Sequence, residues 1–275
     1  MREHLEKVGL RAGAMNVETL LICIALLVVA TLYSSVGHGG ASGYLAVLSL
    51  TSFAVMDAGW LKQHAWSLNL VVAAIAFWHY RKAGHHLPRL TVPFILGSVP
   101  FAILGGYLRV DGAIYDSLLS LTLVWAAWRL WIVRPADAAD EESDHVNGGP
   151  APRVAVPVGA GVGLVSGVIG VGGGIFLSPI ILLKRWATPK AAAATAALFI
   201  WVNSAAGLFG AGLSGQLTLD SSVLLPFVGV VLIGGFIGSR YGAVIAPQWM
   251  IRRLLVLVLM GAAVRLLLGT VGVRI

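Results

Sequence analysis

Gly37-His38-Gly39-Gly40-Ala41 interrupts one apolar stretch of the chain, and Gly170-Val171-Gly172-Gly173-Gly174 interrupts another about 133 residues later. Each cluster leads into an apolar run, 43–56 or 174–184. Both runs are short for a bilayer crossing, which takes about 20 residues at ~1.5 Å each. Glycine permits the tight turn that ends one helix and begins the next. In lipid such a break survives only where it is buried in protein or lines a polar cavity.

The surrounding composition supplies the bilayer. Of 275 residues, 58% are hydrophobic and 11% charged, and the mean hydropathy is +0.87. Soluble domains carry about a quarter charged residues. A soluble enzyme, a disordered chain and a nucleic-acid binder are therefore excluded. The net charge of +7 reads as lysine and arginine gathered on one membrane face. The single cysteine, Cys23, lies in an apolar run, so neither a disulfide framework nor a thiolate metal site is expected. No cofactor is expected either. The partner read from composition is the lipid bilayer, not nucleic acid; a homo-oligomer is permitted but not required.

Apolar runs occupy 18–36, 43–56, 64–80, 90–108, 112–133, 154–170, 174–184, 189–212, 222–239 and 250–272. The acidic segment 134–153 divides them into a first repeat, 1–133, and a second, 154–275. Its Asp137, Asp140, Glu141, Glu142 and Asp144, followed by Asn-Gly-Gly-Pro-Ala-Pro, mark it as a linker. The expected fold is all-α and membrane-integral: two repeats, each a broken or re-entrant helix pair plus three transmembrane helices. An odd net number of crossings per repeat makes the two inverted. Loop charges agree, because Lys184, Arg185 and Lys190 answer a 51–61 stretch without lysine or arginine, while Arg81, Lys82 and Arg89 answer a 213–221 stretch without them. Placing 81–89, 134–153, 184–190 and 240–253 in the cytoplasm puts most of these charges inside an inner (cell) membrane, with both termini outside. Arg2, Lys7 and Arg11 then lie against the rule.

Inverted repeats with discontinuous helices form the midplane sites of secondary transporters. Helices starting near Ala41–Gly43 and Gly174–Phe176 would aim N–H groups and positive dipole ends at an anion. Candidate substrate-binding residues are Gly37, His38, Gly39, Gly40, Ser42 and Asn69 in the first half, and Gly170, Gly172, Gly173, Gly174, Ser178 and Asn203 in the second. His38 could meet an anionic oxygen, carry a coupling proton or satisfy a freed carbonyl. Asn69 and Asn203, at equivalent positions after one inserted residue, suit either an anion or a structural clamp. Most other serines would bond their own helix, and most other glycines would serve helix packing. Lys62, Gln63 and His64 read as a solvated helix end.

Ser35-Val36-Gly37-His38-Gly39-Gly40-Ala41-Ser42-Gly43-Tyr44 and Gly167-Val168-Ile169-Gly170-Val171-Gly172-Gly173-Gly174-Ile175-Phe176 resemble the TauE/SafE sulfite exporter family, also called the 4-toluene sulfonate uptake permease family. Ser178-Pro179 and Asn203-Ser204-Ala205-Ala206-Gly207 extend the likeness across nearly the whole chain. The resemblance implies transport of a small sulfur-containing anion such as sulfite, thiosulfate or an organosulfonate, and in some members another small anion. Ala41 stands where the third glycine would be, and His38 and Ser42 are additions, so the two half-sites are not expected to be equivalent.

A rival reading comes from Gly40-Ala41-Ser42-Gly43, which matches the GxSG pattern of rhomboid intramembrane proteases. A nucleophilic serine needs a base within hydrogen-bond reach. No histidine follows His145, and the second half repeats the glycines without the serine. The protein is expected not to be an enzyme.

Overall fold

The computed structural model describes residues 17–110 and 149–245, together with Ser117, Leu118, Ser120, Leu121, Val124, Trp125 and Trp128. The runs 112–133 and 250–272, the N-terminal 1–16 and nearly all of the linker lie outside the described residues or are described only at those isolated positions. The helices of the first half are α1 (Val17–Ser34), α2 (Ala41–Ser49), α3 (Ala58–Lys82) and α4 (Pro88–Tyr107), with a 3-10 turn at Ser52–Val55. Those of the second are α5 (Pro152–Ile169), α6 (Gly174–Leu183), α7 (Pro189–Leu213) and α8 (Ser221–Val244). No strand occurs among the described residues.

Local chemistry sets the helix starts. Asp57 accepts the Trp60 N–H at 2.8 Å, Thr188 the Ala191 N–H at 3.4 Å and Asp220 the Ser222 N–H at 2.9 Å, each side chain capping an orphan donor of α3, α7 or α8. Pro88, Pro152 and Pro189 open α4, α5 and α7, where the missing N–H costs nothing. Because Asp57 is the cap, α3 begins six residues before the apolar run expected at 64–80. That corrects the reading of Lys62, Gln63 and His64 as a solvated end: all three are buried inside the first turns of α3. The loop after α7 covers Gln63 and His64. Gln63 donates from Nε2 to Gln216 O at 2.7 Å and accepts the Thr218 N–H at 2.7 Å, and His64 Nε2 accepts the Asp220 N–H at 3.2 Å.

Among the described residues five helices, α1, α4, α5, α7 and α8, are long and apolar enough to cross a membrane. This is a multi-pass membrane protein. By contrast α2 and α6 have 9 and 10 residues, about 14–15 Å of rise, half the hydrocarbon thickness. All nine residues of α2 are buried. Both short helices start folded back on the helix before them. A Cβ at Gly43 would stand 2.5 Å from Val29 and 2.9 Å from Tyr33 of α1, and one at Gly173 3.1 Å from Val162 and 3.3 Å from Ser166 of α5.

The halves interlock. The first helix of each half packs on the last described helix of the other, α1 on α8 and α5 on α4. The long third helices, α3 and α7, pack on each other in the middle, α3 also meeting α8 and α7 meeting α4. Two glycine ladders make the outer pairings close. Gly159, Gly163 and Gly167 of α5 press on the carbonyls of Phe94, Ser98 and Ala102, and Gly234, Gly238 and Gly242 of α8 on those of Leu27, Thr31 and Ser35. Small residues every fourth position let backbones approach, with Cα–H···O contacts worth about 0.5–1 kcal/mol each.

Candidate functional site

Both glycine breaks arrive at the same two side chains of the central helix pair. A Cβ at Gly39 would collide with Asn69 and stand 2.9 Å from Ile200 Cγ2. One at Gly172 would stand 2.6 Å from Asn69 Nδ2, 2.9 Å from Ile200 Cγ2 and 3.3 Å from Ser204 Oγ. Asn69 comes from α3 and Ile200 and Ser204 from α7, so the junction sits where α3 crosses α7, with α2 and α6 starting on either side. Gly174 also lies on Ile200, and His38 Cδ2 reaches 3.5 Å from its Cβ position. The histidine of the first break thus touches the second.

The short helices begin at left-handed glycines, Gly40 at φ 101° and Gly173 at φ 82°. An L side chain is disfavoured there, and the space is filled as well, by the Tyr44 ring at Gly40 and the Phe199 ring at Gly173. Gly37 lies against Ala193 of α7, and Gly170, which caps α5, against Lys62 of α3.

The first break is closed by side chains. Asn69 Oδ1 accepts the Ala41 N–H at 2.9 Å, and its Nδ2 donates to Ser204 Oγ at 3.3 Å. Tyr44 donates to Gly39 O at 2.8 Å, and the Ser42 hydroxyl pairs with the Tyr33 phenol at 2.8 Å. His38 Nδ1 stands 3.0 Å from Val36 O, which requires the proton on Nδ1. Ser42 thus has the Tyr33 phenol as its hydrogen-bond partner.

Among the described residues no side chain closes the second break in this way. The α6 N-terminus lacks a side-chain cap, and Phe176 and Leu177 both donate to Gly173 O at 3.1 Å. Asn203 donates to Phe199 O, on its own helix, at 2.8 Å, while its Oδ1 is buried without a protein partner. Ser166 Oγ and Ser178 Oγ are likewise buried without one. Asn69 and Asn203 thus occupy matching places in sequence but differ in bonding, and Ser204 takes the position at the junction.

Several participants carried no signal in the residue pattern. Tyr33 and Ile200 lie inside the apolar runs 18–36 and 189–212. The buried Lys62 ammonium donates to Leu108 O at 3.2 Å and lies 5.7 Å from the Trp66 ring centroid. Lys62, Trp66 and Asn69, spaced i, i+4, i+7, share one face of α3; that spacing was the one available hint.

The sulfite exporter TauE/SafE family profile matches residues 21–266, a span that includes both breaks and the whole interlocked core. The chain belongs to the TauE/SafE family. A relative from Sinorhizobium fredii, named "Probable membrane transporter protein y4hK", is 35% identical over 256 residues, covering 92% of this chain and all of the relative. A Xylella fastidiosa protein named "Probable membrane transporter protein" is 35% identical over 116 residues, 41% of this chain and 42% of its own. No solved structure matches. Family and fold together make this TauE/SafE chain a membrane transporter.

Proposed function

We propose that the protein carries a small sulfur-containing oxyanion, such as sulfite, thiosulfate or an organosulfonate, across the cell (inner) membrane by alternating exposure of the junction between the two glycine breaks. The observation that carries this reading is the meeting of Gly39 and Gly172 on Asn69 and Ile200, with two helix N-termini starting beside it. Helix starts offer N–H groups and a positive dipole end to an anion. Gly37, His38, Gly39, Gly40, Ser42, Asn69, Gly170, Gly172, Gly173, Gly174, Ser178 and Asn203 form or frame the pocket.

The two halves, 1–133 and 154–275, act as inverted repeats joined by a cytoplasmic linker at 134–153, both termini lying outside. The reciprocal packing of α1 on α8 and α5 on α4 supports a pseudo-two-fold relation, and the opposite loop charges support its inversion. Flux of sulfite, thiosulfate and sulfonates into proteoliposomes, with and without an imposed proton gradient, tests the proposal. Saturable flux of one of them is expected; none for any of them overturns the substrate class.

A further inference from the structure

Three side-chain bonds tie the loop after α7 to the first turns of α3. Gln63 Nε2 donates to Gln216 O at 2.7 Å, Gln63 Oε1 accepts the Thr218 N–H at 2.7 Å, and His64 Nε2 accepts the Asp220 N–H at 3.2 Å. Gln216 carries the tie on to the end of α4, donating to Tyr107 O at 2.8 Å. Gln63 and His64 are wholly buried. This end of α3 lies opposite the basic 81–89 stretch at its other end. Asn69, at the junction of the breaks, is five residues beyond His64 along the helix, about 7–8 Å.

The partners of His64 fix its protonation state. Nδ1 stands 2.8 Å from Trp60 O, which can only accept, and Nε2 faces the Asp220 N–H, which can only donate. Only the neutral ring with its proton on Nδ1 makes both bonds. The ring is also stacked on Trp60 at 3.7 Å between centroids, and Trp60 on Phe53 at 5.3 Å. A second proton, on Nε2, sets two N–H groups against each other. Rotation of the ring gives no relief, because it breaks the Trp60 O bond and the stack, and a cationic ring is held on an indole face more firmly still. The loop gives way instead.

The charged groups around the ring admit that proton. The carboxylates of Asp220 and Asp57 act on it, each capping a helix start, α8 or α3. On α3 itself the Lys62 ammonium donates to Leu108 O at 3.2 Å, and Arg109 follows that residue. Beside the 3-10 turn, Glu18 of α1 accepts the Ser52 N–H at 2.9 Å. Gln63 does not titrate, so its two bonds persist at any pH and the loop is freed from its Asp220 end.

We propose that His64 is a proton-operated latch at this end of the α3–α7 pair: neutral, it holds the loop onto α3, and protonated at Nε2, it releases the Asp220 end. The latch is closed above the pH at which the ring takes its second proton and open below it. It adds a conformational device to the transporter and does not depend on which anion is carried.

Residue-resolved hydrogen exchange on the full chain in lipid nanodiscs tests the latch, at about pH 8 and about pH 5.5, either side of the ordinary histidine value. With rates corrected for the intrinsic effect of pH, protection of the Asp220 amide should fall about tenfold or more at the lower pH. The amides of α5 should keep theirs. His64→Gln leaves an oxygen for the Asp220 N–H and no titrating group, so its Asp220 protection should be the same at both pH values. Asp220→Asn keeps the backbone N–H and should retain the fall. Equal Asp220 protection at the two pH values in the unsubstituted protein overturns the latch. So does a fall of the same size in His64→Gln, a fall abolished by Asp220→Asn, or a loss that extends equally through α5. If His64→Gln does not fold, the responses of the unsubstituted protein and of Asp220→Asn decide.

Discussion

The Asn69 carboxamide accepts the Ala41 N–H at 2.9 Å and so ties the start of α2 to the middle of α3 across 28 residues of chain. A helix N-terminus inside a membrane leaves donors with no water to satisfy them, and one neutral side chain meets the need. The second amide hydrogen of Asn69 reaches Ser204, so the same residue links both long central helices.

Asn69→Leu leaves the buried Ala41 N–H without an acceptor and is expected to lower stability by about 1–3 kcal/mol, with loss of flux. Asn69→Asp keeps an oxygen for Ala41 but gives up the donor to Ser204, and should fall between. Denaturation in detergent alongside proteoliposome flux checks the order; a fully stable, fully active Asn69→Leu protein would show that the latch is dispensable.

Glycines should separate sharply by position. Gly163→Ala and Gly238→Ala drive a methyl group into the carbonyls of Ser98 and Thr31, an overpacking cost of about 1–3 kcal/mol. Gly212→Ala and Gly229→Ala meet nothing within 4 Å and should be neutral or stabilising by up to about 1 kcal/mol. Melting temperatures of the four variants provide the comparison.

Ser42→Ala removes a hydroxyl that pairs with Tyr33, at a cost of about 1 kcal/mol. Transport is expected to persist at a reduced rate, and a fluorophosphonate probe should leave Ser42 of the unsubstituted protein unlabelled. Covalent labelling at Ser42 would revive the protease reading.

Gln63→Ala cuts two bonds to the loop after α7, at Gln216 O and Thr218 N. That loop should become the first site of proteolytic nicking, with little change in the rest of the digestion pattern. An unchanged pattern would mean that His64 and the Asp220 contact hold the loop alone.

At the start of α8, burial pushes the Asp220 carboxyl upward. The Ser222 hydroxyl and the Ser222 and Val223 N–H groups outweigh it, so the group is held below its ordinary value. A carboxyl depressed in the folded state stabilises above its unfolded pKa of about 3.9 and loses that contribution as pH falls through the lower folded value. The cap should therefore weaken only below about pH 4. Asp220→Asn should flatten the melting temperature of the unsubstituted protein over that acid range; the same acid slope in both would place the titration elsewhere.

How far the residues alone reached is clear at particular positions. Glycine clusters before short apolar runs were legible because only glycine tolerates the backbone at Gly40 and Gly173, and because the pattern occurs twice. Composition named the bilayer for an equally direct reason: so few charges cannot cover a water-facing surface. Lys62, Gln63 and His64 were read as solvated because polarity along the chain does not say what a distant loop will cover. It is the 214–220 segment, more than 150 residues away, that buries Gln63 and His64.

Bilayer residence, the helix breaks and the family were determined by local sequence, since each depends on the residue types within a window of about one transmembrane helix. Tertiary structure decided which residues meet at the breaks. Asn69, Ile200 and Ser204 converge there only because α3 crosses α7, and the two asparagines part in role because one finds Ala41 N–H within reach while the other bonds its own helix. Hydrogen-bond partners are fixed by distances of about 3 Å between atoms far apart in the chain, and no periodicity in the sequence records them.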